Sequence, residues 1–213
     1  MDLWFIHKVQ KQYGGEAYYF RFADDFLACF QYQGEAKAFL QQLSERLNGF
    51  GLKLAAEKTR CIEFGRFARE SAHKRGGKPR EFTFLGFTHY CGKTKKGHFK
   101  VKRRTSRKKM GQSLQKLADW AQKARNVLTK GEMLRQAKVR IAGHLNYYAI
   151  TDNSGQCNKY VFYANRLVFK WINRKSQRRA YTWSGFNHAL AWVGWPKPRV
   201  RKDLNPFRRA EAC

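Results

Sequence analysis

Asp24 and Asp25 are adjacent carboxylates in the stretch FRFADDFLACF, with aromatic and apolar residues pressing on them from both sides. Turn chemistry alone would favour Gly or Asn beside such a pair. Two carboxylates buried together repel each other and resist desolvation. A solvated Asp-Asp turn avoids that cost. A bound Mg2+ avoids it differently, because the ion prefers carboxylate and water oxygens together with substrate phosphates. Two such ions can activate a hydroxyl and stabilise a departing pyrophosphate. The residues themselves leave both readings open, and metal-assisted phosphoryl transfer is the chemistry within their reach.

The elements around the pair give it a frame. AYYFRF and FLACFQY favour strands, so residues 17–32 read as a hairpin whose tip is Ala23-Asp24-Asp25. Ala36, Phe39, Leu40, Leu43, Leu47 and Phe50 recur at helical spacing, and Gly49 and Gly51 stop that helix. Residues 60–64 read as a short strand, and residues 66–80, with Gly76, Gly77 and Pro79, as a loop. One strand is expected over 81–90 and a returning strand over 98–103, joined by a basic turn.

Beyond Thr105 and Ser106, either of which could cap a helix, the pattern is helical only. Met110, Leu114, Leu117, Ala121, Ala124 and Leu128 form one apolar stripe. Leu134, Ala137, Ile141, Leu145 and Tyr148 form a second. Val161, Ala164, Val168, Trp171 and Ile172 form a third, and a short fourth helix is expected over 184–192. His144, beside the second stripe, reads as a packed residue with a satisfied hydrogen bond. The predicted class is α+β: antiparallel strands with one helix and a β-hairpin over residues 1–104, then an all-α region over 105–213.

Charge divides the same way. The 213 residues carry a formal net charge of +29. Residues 1–65 hold eight Lys/Arg and eight Asp/Glu, and residues 66–213 hold 36 and seven, so the whole excess follows Gly65. Folding needs no such excess, and polyanions are the partners it suits. Residues 93–109 hold ten basic residues and no acid, among them Lys100, Lys102, Arg103, Arg104, Arg107, Lys108 and Lys109. Residues 159–179 hold seven and no acid, among them Arg166, Lys170, Arg174, Lys175, Arg178 and Arg179. These cations are the candidate phosphate contacts. Tyr160, Phe162, Tyr163, Phe169 and Trp171 interleave the second run, mostly as core, with stacking on unpaired bases as the alternative.

The five cysteines form no CxxC pair and are odd in number, which disfavours a zinc site or disulfide framework and suits a reduced intracellular compartment. No apolar run reaches membrane-spanning length, so no membrane partner is expected, and the start shows no secretory signal.

FRFADDFLACF resembles the aromatic-Ala-Asp-Asp motif of group II intron-encoded reverse transcriptases. FGLKLAAEKTRCIEFGRFA, FTFLGFTHYCGKTKKGHFKVKRRTSRKK, HLNYYAITDN and FKWINRKSQRRAYTWSGFN follow in matching order, so the likeness runs from about Trp4 to Arg201. The resemblance implies the C-terminal part of a right-hand polymerase palm over 1–104 and a helical thumb or maturase X region over 105–213. Asp24 and Asp25 would be the catalytic acids, holding Mg2+ or in its place Mn2+, with Asp24 the foremost ligand. Lys58 falls where a residue approaches the incoming nucleotide's phosphates, a surface salt bridge being the alternative. Phe84, Leu85, Gly86 and Phe87 match the segment that grips the primer, where a Gly lets backbone approach nucleic acid closely. The implied partners are group II intron RNA, an RNA/DNA template-primer and a dNTP, and the implied roles are splicing and retrotransposition.

Three departures qualify this. Phe22 stands where the family has Tyr, keeping a ring and losing a hydroxyl. The family's first catalytic Asp has no counterpart: the acids before Asp24 are Asp2 and Glu16, in unmatched contexts. Fingers and front palm have no counterpart either, and no His/Cys-rich endonuclease tail follows. The chain is therefore expected not to polymerise DNA alone. A truncated reverse transcriptase needing a missing N-terminal half is one expectation, and an RNA-binding maturase module without polymerase activity is the other. Either way the strands before Gly65 should keep an open edge and an open apolar face.

Overall fold

The computed structural model describes residues 1–55, 57–176, 178 and 180–204. The chain forms an α+β arrangement in two compact units. The first comprises Met1–Phe84 and Tyr90–Val101, the second Leu85–His89 and the residues from Lys102 onward.

The first unit begins with contiguous helical pieces: α1 (Asp2–Trp4), a π-helical turn (Phe5–Val9) and α2 (Gln10–Gln12). Strands β1 (Ala17–Phe22) and β2 (Asp25–Phe30) pair antiparallel, and α3 (Gln33–Asn48) follows. Side chains alternate across a strand, so the two strands have one inward face. Ala17, Tyr19, Phe26, Ala28 and Phe30 pack there with Phe5, Val9, Phe39 and Leu43. Aromatic contacts dominate this core, such as Phe5 on Tyr19 at 5.0 Å and Phe30 on Phe39 at 5.0 Å. The opposite face is open: Tyr18, Phe20 and Phe22 are each more than half exposed.

Residues 60–64 form no strand, contrary to the sequence pattern. They have the propensity but no neighbouring strand to pair with. Phe64 instead packs edge-on against Phe82, ring centroids 4.9 Å apart. The expected loop over 66–80 contains a helix, α4 (Ala68–Lys74), burying Ala68 and Ala72 one turn apart. Gly76 and Gly77 end it: Gly76 takes φ +68° and donates to His73 O, and Gly77 donates to Ala72 O. That is a Schellman stop, so the glycines terminate a helix rather than mark a loop.

The expected single strand over 81–90 is two strands. β3 (Phe82–Phe84) and β4 (Phe87–Lys93) are separated by Leu85 and Gly86, both at positive φ (50° and 80°). β5 (Phe99–Thr105) completes a sheet in the order β3-β4-β5.

The second unit is built on α5 (Arg107–Val127), α6 (Lys130–Tyr148), α7 (Ser154–Asn173) and α8 (Trp183–Trp192). Their starts are written locally. Ser106 caps α5, Thr129 and Glu132 form a capping box on α6, and Thr182 caps α8. The apolar stripes meet in one core that includes Leu117, Ala121, Leu134, Ile141, Ala164, Val168 and Phe186. Asn153, fully buried, ties the end of β5 to the α6–α7 turn. Its Oδ1 accepts from Thr105 N at 2.8 Å, and its Nδ2 donates to Thr105 Oγ1 at 2.8 Å and Tyr148 O at 2.7 Å. No helix among the described residues is long and apolar enough to cross a membrane.

Candidate acidic hairpin and basic surface

The pairing of Phe22 with Asp25 closes β1 and β2 over a two-residue turn, Ala23-Asp24. Ala23 has φ +54°, a left-handed conformation that costs a residue with a Cβ on the order of 1 kcal/mol. Such strain persists where the surroundings over-determine it, and it concentrates at functional sites. Arg21 is one cause of the constraint here. Its guanidinium donates to both oxygens of Asp2 (2.8 and 2.7 Å) and to Ala23 O (3.2 Å). The hydrogen bond from Arg21 holds the Asp2 carboxyl below its usual range, and the same bond raises Arg21.

Asp24 and Asp25 are both exposed at the tip. Asp25 shares its face with Phe22, Phe20 and Tyr18, the open side of the sheet. The Phe22 ring packs into neither core cluster, being 64% exposed. Carboxylates so placed have the oxygen chemistry that Mg2+ takes. They are two where a two-metal centre uses more: among the described residues no group of three or more His, Cys, Asp or Glu side chains could hold a metal ion. Asp2, one of the two acids that precede the pair, is engaged by Arg21. Lys58 is exposed in a turn whose backbone N–H donates to Ala55 O.

In the second unit the Leu85-Gly86 turn is clasped. Leu85 O accepts from the Tyr147 hydroxyl at 2.8 Å, and Gly86 O accepts from Ser106 N at 3.0 Å. A Cβ on Gly86 would lie 2.7 Å from the Tyr148 hydroxyl, so the glycine makes room for that ring. Tyr147 and Tyr148 also pack on Phe87, at 5.6 and 5.1 Å. The sequence offered no sign of this clasp, because its halves lie 62 residues apart. Phe84 closes β3 immediately before the turn.

The basic residues separate into structural cations and open ones. Along β5, Lys100, Lys102, Arg103 and Arg104 are half-buried. Arg103 donates to Leu204 O at 3.1 Å. Arg107, Lys108 and Lys109 are exposed in the first turn of α5, which holds no acid. The helix dipole disfavours cations there by about 0.3–1 kcal/mol each, so folding gains nothing from their placement and a phosphate partner would.

On α7, Arg166 lies over the Phe162 ring at 5.6 Å. Lys170 and Arg174 both lie over Trp171, at 5.2 and 5.6 Å, with Arg125 at 5.0 Å. Lys175 donates to Leu128 O, closing the end of α5. Arg178 is exposed, and Arg179 lies outside the described residues. Of the aromatics in this run Tyr160 is core, whereas Phe162 and Tyr163 are at least half exposed.

Residues 3–89 match the family model described as reverse transcriptase (RNA-dependent DNA polymerase). That span contains the acidic hairpin, Lys58 and the Phe84–Gly86 turn. Searches of curated proteins and of solved structures returned no match. The front of this chain is thus similar to a reverse transcriptase domain, and a nucleic-acid template-primer is the partner such a domain works on.

Proposed function

We propose that the chain is an RNA-holding part of a group II intron-type reverse transcriptase/maturase, in which the second unit binds intron RNA and the hairpin offers Asp24 and Asp25 to the polymerase centre. The observation that carries this reading is the FADD tip, held over a strained Ala23 inside the reverse-transcriptase match. The exposed cations in the acid-free first turn of α5 and along acid-free α7 support the RNA role. Mg2+, or Mn2+ in its place, would be held by Asp24 and Asp25 and would supply charge stabilisation for phosphoryl transfer. Arg21 would fix the tip and keep Asp2 out of the metal's reach. Lys58, exposed in its turn, is free to approach nucleotide phosphates.

A second reading has its own support. The absence of a third metal-competent side chain beside the pair, among the described residues, favours RNA binding without polymerisation by this chain alone. Completion would require a carboxylate supplied from elsewhere.

A salt-dependent titration of structured group II intron RNA against matched duplex DNA, with primer extension in Mg2+ alongside, tests both. Tight RNA binding with a steep salt slope and no extension supports the RNA-holding role. Extension that vanishes in Asp24→Ala shows that the acid pair works in this chain as it stands. Weak binding that does not distinguish the RNA from the duplex defeats the proposal.

A further inference from the structure

We infer that the groove between α5 and α7 is a binding site for an unpaired base of single-stranded RNA. This rests on the RNA-binding reading above and adds to it a place and a ligand chemistry. The groove encloses about 690 Å3 and opens to solvent. Its floor is apolar, from Leu114 and Leu167. Two rings stand at its rim. Tyr163 is 50% exposed, and Trp183 is 46% exposed while its inner face stacks on Phe169 at 3.9 Å and 12°. A ring held flat on one side and open on the other is a ready stacking platform.

Arg166 and Lys170 line the same groove one helical turn apart on α7, a helix without a single acid. The nearest acid along α5, Asp119, accepts the Gln115 amide at 2.7 Å. The occupant must therefore offer a flat apolar face together with negative charge, and a base with its flanking phosphates does so. An acidic peptide would satisfy the cations and leave the rings without partners.

Gly111 also lines the groove, inside α5. A Cβ there would meet nothing within 4 Å. Packing therefore does not require glycine, and glycine inside a helix is unfavourable relative to alanine. What its bareness does is keep the groove open.

The test is an anisotropy titration of the full chain at one salt concentration. The probes are a short labelled oligoadenosine RNA, its abasic ribose-phosphate counterpart, and an RNA duplex of equal phosphate number. Wild type should hold the base-bearing strand about tenfold more tightly than the abasic one. Gly111→Leu fills the groove and should abolish that preference, with duplex binding and the thermal midpoint not lowered. Tyr163→Leu should reduce the preference without filling the groove. Equal binding of base-bearing and abasic strands by wild type overturns the base site, even if both bind well. A preference that survives in both variants overturns it too, since the base then sits elsewhere. Failure of wild type to bind any of the three probes removes the RNA-binding reading itself, a distinguishable result.

Discussion

His144 lies in the core of the second unit, only 8% exposed. Its ring stacks on Tyr160 at 3.5 Å and 12°, and tilts against Tyr148 at 4.5 Å. Nδ1 is 2.9 Å from Ser113 Oγ, while Nε2 is buried with no hydrogen-bond partner. Ser113 in turn donates to the Tyr160 hydroxyl at 3.3 Å. These contacts assign the tautomer: Nδ1–H donates to Ser113, and Nε2 is a bare acceptor, the cheaper atom to leave unpaired. Burial pushes the imidazole down to about 4 from 6.5. A histidine lowered on folding binds its proton better when unfolded, so it costs stability only as pH falls below 6.5, levelling off near 4. At about pH 5 linkage gives about 2 kcal/mol, and screening at the exposed ring edge reduces it to about 1–2 kcal/mol. His144→Phe keeps the stacked ring, leaves Ser113 bonded to Tyr160 and removes the titration. Urea unfolding followed by far-UV circular dichroism, which the α5–α8 helices dominate, measures the difference. The gap between variant and wild type should move in the variant's favour by that amount between about pH 7.5 and pH 5. If both lose stability in parallel over that range, the ring is not held neutral and the argument fails.

Three further outcomes follow from named contacts. Ala23→Gly relieves the left-handed strain at the hairpin tip and should slow amide exchange in β1 and β2, a gain of about 0.5–1 kcal/mol; faster exchange would mean that the strain is absent. Asn153→Leu takes the Asn153 amide away from Thr105 N–H and Thr105 Oγ1 at a fully buried position, while Tyr148 O keeps the Ile150 N–H. It should cost about 1–3 kcal/mol in a denaturant titration, and a loss below about 0.5 kcal/mol, the size expected for an exposed site, would contradict the clasp. Lys108→Glu places an acid in the first turn of α5 and should stabilise the helix by about 0.5 kcal/mol, yet lower the salt slope of RNA binding by about 1. Unchanged salt dependence would remove Lys108 from the interface.

The hairpin and the helices α5 to α8 were legible because local pattern and final environment agree. Alternation around Ala-Asp-Asp gives two strands, and stripes at helical spacing give α5 to α7, with Thr105 and Ser106 marking the start of α5; the caps at Thr129 and Thr182 emerge only in the structure. What could not be read was set by distant partners. The stretch FTFLGFTHY alternates like one strand, and Leu85 has no local reason to adopt φ +50°. Its carbonyl is held by Tyr147 and its neighbour Gly86 by Ser106 and Tyr148, all remote in sequence. Arg60–Phe64 shows the converse, strand propensity without a strand to pair with. The aromatics of α7 divide in the same way. Tyr160 and Tyr163 are indistinguishable by type and lie in one run, but the phase of the helix sends one under Ser113 and the other to the rim beside Arg166. Which ring supports the fold and which is free to meet a base is thus decided by packing against α5 and α8. The acids differ, since their placement at a turn follows from the strands on either side, and the fold adds only the strain at Ala23 and the Arg21 tether.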